Sequence, residues 1–123
     1  MELSVIHSRW EDHLPKLATS SVDLVYTDPP YGKAYKSNIP GSKEWNKSGE
    51  TTSKFAKMIV GDSEEEFAQI DWSAFFAECY RVLKDDRYIF VHSSMELFGV
   101  TSQHLSDAGF RYKGTIVWIK VQR

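Results

Sequence analysis

The sequence of 123 residues holds a single cysteine, Cys79, which excludes an internal disulfide and a thiolate zinc cluster. Its four histidines, His7, His13, His92 and His104, show no metal-ligand spacing, so no metal site is expected. No stretch approaches the roughly 18 consecutive apolar residues that a membrane span needs. The start, Met1 to Trp10, lacks the basic region followed by an apolar stretch that marks a secretory leader, and a cytoplasmic location is expected. Internal repeats and low-complexity tracts are absent as well, which sets aside solenoids and biased tails.

What remains is ordinary globular composition: 41% hydrophobic, 26% charged and 14% aromatic residues, in a chain long enough for one domain and one core. The net charge of -2 conceals an uneven distribution, because Lys33 to Lys57 holds six lysines against two glutamates, a local +4 that leaves -6 for the rest. A basic segment in an acidic protein can follow a phosphate backbone, although such a run can equally be a solvated face.

Leu3 to Ile6 is a short apolar run suited to a buried strand. Trp10, Leu14 and Leu17 then recur at helical spacing, with Pro15 limiting that helix or sitting in its first turn. Val22 to Tyr26 reads as a strand that stops against two prolines. From Gly32 to about Asp62 no period survives, which predicts a long basic loop. Ser63 with Glu66 resembles a capping box, and apolar residues from Phe67 to Leu83 mostly keep helical spacing up to Lys84, with a break near Asp71. Tyr88 to His92 reads as a strand, Met95 to Ala108 as a helix closed by Gly109, and Phe110 to Val121 as a long strand or hairpin. Alternating strands and helices predict an α/β class with a largely parallel sheet.

The chemistry concentrates in Asp28-Pro29-Pro30-Tyr31-Gly32, at the end of the Val22 to Tyr26 strand. Ligands of open α/β sheets bind beyond the carboxyl ends of the strands, so the position suits a site. Each proline fixes its own φ and biases its predecessor to extended backbone, which holds the Asp28 carboxylate and the Tyr31 ring in one relative geometry. A rigid set of carboxylate, carbonyls and aromatic face suits a flat molecule carrying an amino group, such as a flipped-out nucleobase.

These residues resemble the amino-methylating DNA methyltransferases that use S-adenosylmethionine, in the branch where the catalytic motif precedes the cofactor-binding half. The likeness runs through Leu17-Ala18-Thr19-Ser20-Ser21-Val22-Asp23-Leu24-Val25-Tyr26-Thr27-Asp28-Pro29-Pro30-Tyr31-Gly32. It continues at Tyr80-Arg81-Val82-Leu83-Lys84, which looks like the family's following helix end, and from Ala108-Gly109-Phe110 to Trp118 and Lys120, which look like its later strands. The resemblance implies a Rossmann-like S-adenosylmethionine-dependent methyltransferase fold, here only its catalytic half over residues 1–123, in a bacterial or phage modification system. It implies that Asp28 and the Pro29 carbonyl accept the two amino hydrogens of adenine or cytosine while Tyr31 stacks on the extruded base. Asp28 and Pro30 would also meet the cofactor, and Lys33, Lys36, Lys43 and Lys47 would contact DNA phosphates. No covalent intermediate is needed, which makes Cys79, mid-helix among Phe75, Phe76 and Leu83, a core residue.

Three departures accompany the likeness. Ser8-Arg9-Trp10 stands where relatives often place an acidic residue, with Glu11 or Asp12 as substitutes, and Asp85-Asp86 replaces a proline-glycine turn. The seven glycines, at 32, 41, 49, 61, 99, 109 and 114, never form a G-x-G, so the glycine-rich cofactor loop has no counterpart. The chain therefore reads as a first half, to be completed by a missing C-terminal half or a complementing chain. Two other readings stand beside this one: a methylase of RNA guanine or protein glutamine, whose relatives mostly carry asparagine or phenylalanine variants of the motif, and a truncated remnant that binds DNA without catalysis. Trp72, Phe75, Phe76 and Tyr80 are read as core in preference to a base-stacking surface, and Trp118 and Lys120 as strand packing and a solvent-facing charge.

Overall fold

The computed structural model describes residues 3–31 and 67–119. In chain order these form a short helix α1 (Trp10–His13), a 3-10 turn (Leu14–Lys16), strand β1 (Val22–Thr27), helix α2 (Trp72–Val82), strand β2 (Leu83–Val91) and helix α3 (Phe98–Asp107). β1 and β2 pair in parallel, with Leu24 opposite Tyr88, Tyr26 opposite Phe90 and Thr27 opposite Val91. The α/β class with a parallel sheet is thus present among the described residues.

Helix α2 begins where the Asp71 side chain accepts the Ala74 amide at 2.9 Å, an N-cap that satisfies one of the donors left open by the first turn. Phe76, Cys79 and Val82 recur along one face of α2 and, with Leu83, are the buried core among the described residues. Arg81, on the same helix, ties the entry to β1 in place. Its Nη1 donates to the Leu17 carbonyl (2.9 Å) and Thr19 Oγ1 (3.2 Å), its Nη2 to the Leu14 carbonyl (3.0 Å) and Glu78 Oε2 (2.8 Å). The Arg81 guanidinium in turn holds the Glu78 carboxyl below its ordinary range, chiefly through that hydrogen bond.

Between the Val22–Leu83 and Leu24–Tyr88 pairs the register shifts, and Asp85-Asp86 occupies the excess length with Asp86 at φ 56°. Aspartate tolerates this left-handed backbone better than most residues, which accounts for a turn without glycine. Asp23 bridges both ends of the irregularity, accepting from Lys84 Nζ at 2.9 Å and Arg87 Nε at 3.2 Å. Helix α3 ends in a Schellman motif, with Phe110 N donating to the Leu105 carbonyl and Gly109 N to the Ser106 carbonyl, both at 3.0 Å, and Gly109 at φ 104°.

Several expectations are corrected. Leu3 to Ile6 forms no strand, and Leu3 and Val5 are 86% and 92% exposed. Phe110 to Ile119 likewise forms no strand, and Trp118 is 79% exposed; Lys120 and Val121 lie outside the described residues. A β pattern becomes a strand only through ladder hydrogen bonds and a covered face, and among the described residues only β1 and β2 pair. The first helical pattern is split, because Pro15 sits in the first turn of the 3-10 stretch and limits α1 to one turn. The second helix stops at Val82, two residues early, since Leu83 turns to extended backbone and enters β2. Ser63, Glu66 and the basic loop at about 32–62 lie outside the described residues.

Val25, Thr27, Ile89 and Val91 are half-buried on one face of the sheet, while α2 contacts β2 and α3 packs on α2. The other face carries Leu24, Tyr26, Tyr88 and Phe90, between 43% and 66% exposed. No helix among the described residues is long and apolar enough to cross a membrane.

Candidate active site

The carboxyl ends of β1 and β2 lie side by side, and the ladder runs one step beyond the strands, because His92 N donates to the Thr27 carbonyl at 2.9 Å. This bond anchors the backbone immediately before Asp28. Asp28 itself is exposed at the strand end, and the Tyr31 hydroxyl donates to its Oδ1 at 2.5 Å. The two residues between them are prolines, so little conformational freedom is lost in closing that contact.

Pro29, Pro30 and Tyr31 are half-buried and form one wall of a small pocket. The opposite wall comes from Trp72 and Phe76 of α2 and from Thr101 and His104 of α3. The cavity measures about 20 Å³, room for roughly one water, so a planar ring in this conformation meets its rim and not its floor. Behind the wall Trp72 packs on Phe76 with ring centroids 6.1 Å apart and on Phe67 at 5.3 Å. Ser93 Oγ and Thr101 Oγ1 lie 3.3 Å apart, and Ser73 Oγ and His104 Nδ1 lie 3.4 Å apart.

The proposed quartet, Asp28, Pro29, Pro30 and Tyr31, is therefore gathered at one strand end, whereas Lys33, Lys36, Lys43 and Lys47 lie outside the described residues. Sequence reasoning passed over His92, which lines the pocket and shares a hydrogen bond with the Tyr26 hydroxyl, the two rings meeting edge-on at 5.1 Å. The signal for it was available: His92 follows the apolar run of β2 just as Asp28 follows that of β1, and the strand-end rule applies to both. Trp72, read as core, is half-buried and shared between core and pocket. Cys79 is 1% exposed, and burial, with a smaller contribution from the Glu78 charge, pushes its thiol up to about 12. A thiol so protonated is no nucleophile at neutral pH. Among the described residues no cluster of histidine, cysteine or carboxylates could hold a metal ion.

A parallel sheet that presents a carboxylate, two rigid prolines and an aromatic ring at a strand end defines the α/β class of proteins that bind ligands at that edge. The chain belongs to the DNA methylase family of N6/N4 amino-methyltransferases, whose family model matches residues 22–123. No curated protein and no solved structure matches it.

Proposed function

We propose that this DNA methylase transfers a methyl group from S-adenosylmethionine to the exocyclic amino group of adenine or cytosine in DNA. The observation that carries the reading is the Asp28 carboxylate paired with the Tyr31 hydroxyl across two prolines at the end of β1. When bound, the cofactor supplies a methyl group on a sulfonium cation. An exposed carboxylate beside proline carbonyls suits that cationic end, and Asp28 and Pro30 are the residues that would meet it.

The amino nitrogen of a base is a poor nucleophile because its lone pair is conjugated into the ring. Asp28 and the Pro29 carbonyl accept its two hydrogens and draw the nitrogen toward tetrahedral geometry, which frees the lone pair. Tyr31 holds the extruded base by stacking, worth about 1–3 kcal/mol for a base on an aromatic ring. The surplus proton leaves through the Asp28 carboxylate to water. Lys33, Lys36, Lys43 and Lys47, close behind Tyr31 in the sequence, follow the DNA backbone.

The test is Asp28→Ala, assayed by transfer of a labelled methyl group to duplex DNA. Turnover should fall about a hundredfold or more, with duplex affinity within about twofold, because phosphate contacts dominate binding. Near-normal turnover in that variant refutes the site. Incorporation into RNA or protein and none into DNA would replace the substrate assignment.

A further inference from the structure

We infer that the Tyr31 hydroxyl is a positioning group for Asp28, separate from the stacking role of the Tyr31 ring. The inference rests on the proposed function and deepens it. The backbone before Asp28 is fixed by the Thr27 carbonyl accepting from His92 N, but an exposed aspartate at a strand end keeps two rotatable side-chain bonds. The contact from the Tyr31 hydroxyl to Oδ1, at 2.5 Å, settles both.

The two roles of Tyr31 do not compete, because stacking uses the face of the ring while the O–H bond lies at its edge. A base lying parallel to the ring has its own edge groups beside the phenol edge, where the carboxylate is tethered. With one lone pair of Oδ1 taken by the phenol, the other oxygen of Asp28 is the more open acceptor for the amino hydrogen. Only a base whose amino group projects toward that edge is therefore presented correctly. The ring carries the base and the hydroxyl carries the carboxylate, so one residue couples capture to orientation.

Tyr31→Phe separates the two, since it keeps the ring and removes the hydroxyl. Base capture, read as the fluorescence rise of a duplex with 2-aminopurine at the target position, should stay within about twofold of wild type. KM for the duplex should also hold, while kcat falls about tenfold or more, as expected for lost orientation. Tyr31→Ala should lower both capture and kcat. A kcat for Tyr31→Phe within about twofold of wild type, alongside an inactive Asp28→Ala, overturns the inference and leaves the proposed function standing. Turnover by Asp28→Ala instead refutes the site on which both rest. An independent readout needs no turnover: in protein labelled with 13C at aspartate carboxyls, the Asp28 resonance, identified by its loss in Asp28→Asn, should shift in Tyr31→Phe. An unmoved resonance overturns the proposal whatever the kinetics.

Discussion

Gly109 closes helix α3 and turns the chain back onto α2, and replacing it by alanine separates two physical costs. The backbone there has φ 104°, a conformation that L side chains rarely adopt, and holding a residue with a Cβ in such a region costs about 1–2 kcal/mol. The new Cβ would also lie 3.1 Å from Tyr80 Cζ and 3.2 Å from Tyr80 Cε2. Tyr80 is half exposed and can swing away, but its ring meets Phe110 edge-on at 5.1 Å, a contact worth about 0.5–1.5 kcal/mol. Alanine returns about 0.4–1 kcal/mol by narrowing the unfolded ensemble, so the net loss should be about 0.5–3 kcal/mol. Urea unfolding followed by far-UV circular dichroism measures it, in wild type and in a Tyr80→Leu background. In that background the steric share disappears and the cost of Gly109→Ala should shrink by about 0.5–1.5 kcal/mol. A net loss under about 0.5 kcal/mol refutes the strain argument. A cost that is unchanged in the Tyr80→Leu background refutes the contact argument.

Other consequences are open to simple measurement. Cys79, buried and with its thiol pushed up to about 12, should resist a thiol-disulfide reagent at pH 8 until denaturant opens the core, so labelling should track unfolding. Glu78 and Asp23 both sit below their ordinary values of 4.5 and 3.8, through hydrogen bonds from Arg81 and from Lys84 and Arg87 respectively. Because the folded state binds these protons less readily than the unfolded one, their contribution is present above the ordinary values. It is lost as pH falls through the lowered ones, so melting temperature should drop below about pH 4.5, modestly for such exposed pairs and less at high salt. Replacing Lys33, Lys36, Lys43 and Lys47 by glutamine should weaken DNA binding equally across sequences and flatten its salt dependence, and an unchanged slope would return them to a solvated face.

Local chemistry made the geometry of the candidate site partly legible. Val22 to Thr27 is a compact β run ended by two prolines, and the rule that ligands gather at the carboxyl ends of parallel strands then placed Asp28 and Tyr31 together. Gly109 announced its own helix end because the Schellman turn needs a residue at positive φ. Cys79 read as a core residue from its place mid-helix among Phe75, Phe76 and Leu83, together with a resemblance that needs no thiol nucleophile, and it is buried. What no local pattern could decide was partnership. Leu3 to Ile6 and Ile116 to Ile119 have strand composition, yet a strand exists only where another backbone takes up its amides and carbonyls, and among the described residues that happens for β1 and β2. The same holds for the aromatic residues: whether Trp72 faces core or pocket, and whether His92 meets Tyr26, depends on which helix covers which face of the sheet. Alternation along a strand assigns residues to two faces, but only tertiary packing chose the face of Val25 and Ile89 for partial burial and left Leu24, Tyr26, Tyr88 and Phe90 exposed.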